Sequence, residues 1–276
     1  MSINYWLLGT NGVRYDMSDG LGPIRLISDP EGIHGPPRQP VYQEEAGYGG
    51  SWWRGQIDQV NKITAEYRFG PVESGDAGVA EAIRWERALG KGRSLAEFHV
   101  EDTDAGTHRW QYVRNNDQNP PVPLKDARAI GYYNRARFTL YSDKSYWDAA
   151  PIVVVLESGD LTGHSIRNLG DFSAAPFYVI DGPTVGLKIG LGGEKVTLAN
   201  IGAGKQYRID TNPSLPLVHD ETNTDVWATK VGLQSWNKRA TERNDAGITV
   251  DTPITVEGTA QRIEITLPQQ YWAGVG

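Results

Sequence analysis

The chain has 276 residues, 39% apolar and 22% charged, enough for two ordinary domains with separate cores and too apolar for a disordered polymer. Its net charge is -7, both halves are acidic and no Lys/Arg cluster occurs, so a sequence-specific nucleic-acid binder is excluded as the expected class, while a wall that DNA slides past without sticking stays compatible. The lack of cysteine rules out disulfides, thiol catalysis and Cys-ligated zinc, and 9 Trp with 13 Tyr against 5 Phe favour strand faces and interfaces over deep cores.

The chain opens with Tyr5–Leu8 and Val13–Met17, short apolar runs separated by the hairpin-like turn Gly9-Thr-Asn-Gly12. The first run is short and lacks a basic flank, so no signal peptide is expected and the protein is expected to be made and folded in the cytoplasm. Residues 28–51, with three prolines and two glycines in Ser28–Pro37, read as a long loop of the kind that is more often functional or disordered than idle. At its end, after Tyr48-Gly-Gly50, stand Trp52 and Trp53. These neighbours on a strand cannot both face one core, so the reading is divided between an anchor for a partner and a cap on the edge of their own domain.

Ile63, Ala65, Tyr67 and Phe69 alternate on one strand face. One helix follows, with Asp76 as its expected cap, the apolar stripe Val79, Ala82, Ile83 and Leu89, and Gly90 as its stop. A hairpin then pairs Ala96, Phe98 and Val100 with Trp110 and Tyr112 around the turn Asp102–Gly106. After the rigid Asn119-Pro-Pro-Val-Pro123, the strongest strand puts Ile130, Tyr132, Ala136, Phe138 and Leu140 on one face and Arg135, Arg137 and Thr139 on the other. Asp143–Asp148 and Pro151 mark a domain boundary. The longest apolar run, Ile152–Leu156, suits a buried strand and is far short of a membrane span. Beyond it, runs such as Lys195–Leu198, Gln206–Asp210 and Ile248–Val256, punctuated by Gly, Asn, Asp and Pro, read as a small antiparallel sandwich.

No group of residues suited to catalysis is expected. The five histidines, His34, His99, His108, His164 and His219, are far apart in sequence and read as isolated, and no metal or cofactor site is expected. His219–Asp225 is dense in oxygen ligands but lacks the central Gly and terminal Glu of a calcium loop, so it reads as a solvated turn. Gly190-Leu-Gly-Gly193 has neither the Lys-Ser/Thr nor the helix of a phosphate loop and reads as a turn. The carboxylate pairs Glu44/Glu45 and Asp102/Asp104 sit in turn or loop contexts, where a structural role is expected.

The order of these elements resembles the distal tail protein family of long-tailed bacteriophages, also called minor tail proteins. Three places carry the resemblance: Leu21-Gly-Pro-Ile-Arg-Leu26 with the Gly/Pro-rich loop; Ala136–Ser142 with Tyr146 and Trp147; and the series Phe177–Gly182, Gly193–Leu198, Gly204–Thr211 and Ile263–Leu267 with Tyr271 and Trp272. Leu233–Arg239, continuing through Gly247, departs from it, because an apolar strand and a Pro-Gly turn are expected there. The resemblance implies a mainly β chain of two domains. Residues 1–151 would be a β-rich, ring-forming domain with one helix, and residues 152–276 a galectin-like antiparallel sandwich. It implies a homohexameric ring that joins the tail tube protein to the baseplate or tail-tip hub and supports receptor-binding proteins. Such a protein is a virion component of the tail tip, assembled in the host bacterial cytoplasm, with no enzymatic activity and no membrane insertion. A carbohydrate-binding sandwich is the alternative, with Trp227, Trp236 and Trp272 as sugar-stacking candidates.

Overall fold

The computed structural model describes residues 2–18, 22–44, 51–115, 123–244 and 246–275, the side chains of Glu44, Asn134 and Arg135 excepted. Leu21, Glu45, Tyr48-Gly-Gly50, Asn119–Val122 and Asp245 therefore lie outside the described residues, as does the side-chain direction expected of Arg135. The protein is mainly β and its sheets are antiparallel. Two compact units are present, one of residues 1–148 with 272–276 and one of residues 149–271.

The first unit contains β1 (Ile3–Leu8), β2 (Arg14–Asp16), β3 (Ile24–Leu26), β4 (Arg38–Glu44), β5 (Ser51–Asp58), β6 (Lys62–Phe69), α1 (Asp76–Leu89), β7 (Ala96–Asp102), β8 (Thr107–Asn115), α2 (Leu124–Ile130) and β9 (Tyr133–Ser142). Its main sheet runs β2-β1-β7-β8-β9-β6-β3. The Leu26 amide donates to the Met17 carbonyl at 3.1 Å, so the two edges meet and the sheet curls around its contents. Those contents are aromatic. Trp85 of α1 is fully buried and meets Tyr15 of β2 edge-on at 5.1 Å, Tyr67 of β6 at 5.5 Å and Phe138 of β9 at 6.1 Å. Ile63, Ala65, Tyr67 and Phe69 share the buried face expected of them.

Several local expectations give way to tertiary structure. Asp76 is the first helical residue rather than the cap; Gly75 holds the cap position and no side chain bonds there. The buried stripe of α1 is Gly78, Ala82, Trp85, Ala88 and Leu89, with Val79 and Ile83 only half-buried. Ile130 ends a second helix, α2, so the described residues of this unit hold two helices rather than one, and Tyr133 rather than Tyr132 faces inward. The cause is a register shift between Tyr67 and Phe69, which sets Tyr133 opposite Phe69. On β8 the inward face belongs to Arg109, Gln111 and Val113, not to Trp110 and Tyr112. Pairing decides this: Val100 stands opposite Arg109 and Phe98 opposite Gln111. Both polar side chains are satisfied there. Arg109 donates to the Ala273 carbonyl at 2.7 Å, and Gln111 accepts from Asn61 at 3.0 Å and donates to the Ser145 carbonyl.

The second unit begins within β10 (Trp147–Glu157) and continues through β11 (Ser165–Arg167), β12 (Phe177–Asp181), β13 (Val185–Leu191), β14 (Val196–Thr197), β15 (Gln206–Asp210), β16 (Leu217–His219), α3 (Trp227–Lys230), β17 (Asp251–Thr259) and β18 (Arg262–Tyr271). Its strands form the layers β16-β15-β12-β18-β10 and β11-β17-β13-β14. Tyr178, Ile180, Ile209, Ile263 and Ile265 from one layer and Leu187, Ile189, Val196, Ile254 and Val256 from the other make a single core, the arrangement of an antiparallel sandwich. Alternation along β10 leaves Val153 and Val155 outward at 49% and 43% exposed, so that run is buried on one face only. The polar stretch from Leu233 to Gly247 forms no strand among its described residues, yet Trp236 within it is buried and donates to the Ile189 carbonyl at 3.1 Å.

Candidate interaction surface

The expected loop of residues 28–51 contains a strand, β4, and leads into another, β5. β4 and β5 pair with each other and with no other strand among the described residues, forming a two-stranded arm. Pro40 and the surrounding Gly/Pro content read as loop because proline removes a ladder donor, but a two-stranded ribbon has an outer edge on each strand that tolerates it. The register places Tyr42 opposite Trp53 and Gln43 opposite Trp52, with an irregularity after Val41. Gly55, opposite Val41, takes φ +138, a conformation that side-chain-bearing residues rarely adopt.

Period-two alternation makes both faces of the arm apolar. Tyr42 and Trp53 share one face; Val41, Ile57 and Trp52 belong to the other. Trp52 and Trp53 are each 65% exposed, Tyr42 57% and Ile57 55%. The alternative reading, in which the indoles cap their own core, therefore does not hold. An isolated two-stranded ribbon is marginally stable in water, and one with large apolar side chains on both faces is stabilised further by burial against something else. Polar cross-strand bonds, Arg54 Nε to Gln43 at 2.6 Å and Gln59 to Gln39 at 3.0 Å, hold its shape meanwhile.

Two of the histidines read as isolated come together. The β7–β8 hairpin brings His99 Nδ1 within 3.0 Å of His108 Nε2, while His99 Nε2 lies 3.2 Å from Glu97. An ionised carboxylate only accepts, so Nε2 of His99 carries the proton and Nδ1 accepts from His108. Trp6 stacks on His99 at 5.0 Å, and Arg14 lies over Trp6 at 4.3 Å. The signal was present as a shared hairpin around Asp102–Gly106, in which positions 99 and 108 fall diagonally on the same outward face.

Burial first, then His108 and Arg14, push His99 down from 6.5 to about 4; burial lowers His108 as well, against the pull of Glu101. The folded state thus refuses a proton that the unfolded chain accepts. Stability is unaffected above pH 6.5, falls between pH 6.5 and 4, and is level below that as far as this group is concerned. The loss across this window is on the order of 3 kcal/mol. Denaturant midpoints across this window should fall less steeply for His99→Gln than for the parent; parallel curves would remove His99 from the account.

Among the described residues no three His, Asp or Glu side chains are placed to hold a metal ion. At His219–Asp225, Asp220 Oδ1 accepts from the Thr222 amide, the Thr222 hydroxyl and the Thr224 amide, which holds its carboxyl below the usual range and uses it as a turn brace. Treatment with EDTA is expected to leave the melting temperature unchanged, and Asp220→Ala to lower it by only a few degrees; a large drop with EDTA would reveal an ion site. Of the sugar-stacking candidates, Trp236 is buried, Trp227 meets it edge-on at 5.7 Å and donates to the Gly232 carbonyl, and Trp272 belongs to the other unit.

No protein-family profile and no curated protein matches the sequence. Solved structures do match, and the fold is that of a phage distal tail, or hub, protein. The Dit protein (gp 19.1) of phage SPP1, described as a paradigm of the hub adsorption apparatus in phages infecting Gram-positive bacteria, superposes with TM-score 0.67 at 10% identity, over 98% of this chain and 99% of that one. Chains of the phage P2 baseplate in its activated conformation with Ca and with Sr superpose with TM-score 0.54 at 9% and 8% identity, over 98% of both chains in each case.

Proposed function

We propose that this protein is a structural component of a phage tail tip, a subunit of a homohexameric ring that joins the tail tube to the baseplate or tail-tip hub. The observation that carries the reading is the doubly apolar arm of β4 and β5 on a chain whose fold matches hub proteins along its whole length. Residues 1–148 form the ring, with Trp52 and Trp53 buried against a neighbouring subunit. Residues 149–271 form an outward sandwich that supports receptor-binding proteins, residues 272–276 belonging with the first unit. The work is mechanical: partners are other copies of the chain, the tube protein, a hub or tail-associated protein and receptor-binding proteins, and no catalysis is involved. The protein assembles in the host bacterial cytoplasm and resides in the virion.

Mass photometry of the full chain is expected to show a six-subunit species, with rings in negative-stain images of the same sample. A monomer at every concentration up to the micromolar range in both measurements would overturn the ring.

A further inference from the structure

The arm leaves the first unit through a foot that is gripped from both sides. On the β4 side, the Arg38 guanidinium lies 3.7 Å above the Trp272 ring. On the β5 side, the Tyr146 hydroxyl donates to Asp58 at 2.8 Å, and the Tyr146 ring lies 6.1 Å from that of Trp272. Arg38 and Asp58 are opposite one another in the arm's register, so these contacts hold its first rung.

Trp272 is itself held closely. Gly35 has φ +106, and a side chain there would run into the Trp272 indole. The Gly274 amide donates to the Ile33 carbonyl at 2.7 Å, and Arg109, buried beneath β8, donates to the carbonyls of Ala273 and Val275. Segment 272–275 is thus bonded to the approach to the arm at Ile33 and to the main sheet at Arg109. It shares no strand with either.

We infer that Trp272 is a positioning residue for the arm: through Arg38 on one side and Tyr146–Asp58 on the other, it sets the direction in which β4 and β5 leave the sheet. Among the described residues no neighbouring strand orients the ribbon, so contacts at its foot do so. Because the arm is the proposed assembly element, the consequence for assembly rests on the ring reading, whereas the consequence for arm order does not.

Hydrogen exchange on the full chain separates the two. In Trp272→Ala, and in the gentler Arg38→Gln and Tyr146→Phe, ladder amides of β4 and β5 should exchange about tenfold faster or more, with β7 and β8 unchanged. Trp272→Phe, which keeps an aromatic face under Arg38, should restore most of the protection. Unchanged arm exchange in all three disruptive variants, with the unit folded, would overturn the inference, as would loss of protection that Trp272→Phe rescues no better than Ala. Assembly is read in parallel: Trp272→Ala should raise the concentration needed for the six-subunit species about tenfold. If the parent chain forms no such species, the ring reading fails, and the exchange result still decides the role of Trp272.

Discussion

Replacing Trp52 and Trp53 together with alanine is expected to leave the fold intact and to disperse the six-subunit species into monomers. Both indoles are largely exposed within one chain, so removing them opens no cavity, and the change in unfolding free energy should stay within about 0.5 kcal/mol per site. In an assembly the same side chains would be anchors. Tryptophan is enriched among interface residues whose truncation costs roughly 2 kcal/mol or more, equivalent to about a thirtyfold weaker contact for each. Each ring contact would lose this at both positions, and a ring closes only if every contact holds. Because the two rings point to opposite faces of the arm, the single variants are informative as well. Equal effects would mean that both faces are covered, and an effect at one position alone would identify the covered face. Mass photometry beside denaturant unfolding measures both quantities. Intact rings in the double variant would remove the arm from the interface, and a large stability loss would show that the indoles serve their own core after all.

The second large effect is expected at Trp85, with the opposite signature. Its side chain is fully buried and packs against Tyr15, Tyr67 and Phe138, which come from strands at both ends of the curled sheet. Trp85→Ala removes the contact that holds α1 inside the curl and leaves a void that stiff aromatic neighbours cannot fill. A loss of about 3–5 kcal/mol is expected. The first unit alone should be affected, so unfolding should split into two transitions, an early one for the first unit and a later one for the second. A single unshifted transition would mean that the core tolerates the void. Trp85→Phe, which keeps edge-to-face partners, should recover roughly half of the loss.

These two predictions also mark where sequence reading succeeded and where it stopped. Strands with one wet face were legible from alternation alone, as in Ile63, Ala65, Tyr67 and Phe69. Trp85 was missed because the wide apolar stripe of a short helix admits more than one axis, and only the curl of the sheet selects the one through Trp85. Tyr132 was misplaced because a one-residue register shift exchanges the two faces of a strand, and Ile130 because it ends a short helix rather than opening the strand. On β8 the alternating face was read as that of Trp110 and Tyr112, and Arg109 and Gln111 hold the inward positions instead. They face inward because carbonyls of Ala273, Val275 and Ser145, remote in the chain, satisfy them.

What the sequence determined by itself was the mainly β character and the sandwich-like second half, with Trp52 and Trp53 standing as neighbours that cannot share one core face. Those features follow from local physics: side-chain period, turn residues and the improbability of burying two adjacent strand residues in one core. The tertiary structure alone decided that β4 and β5 pair as an arm, that His99 meets His108, and that Trp272 belongs with Arg38. Each depends on pairing register or on a contact between segments distant in the chain. No local propensity encodes such a contact, because it gains free energy only once the intervening chain has folded.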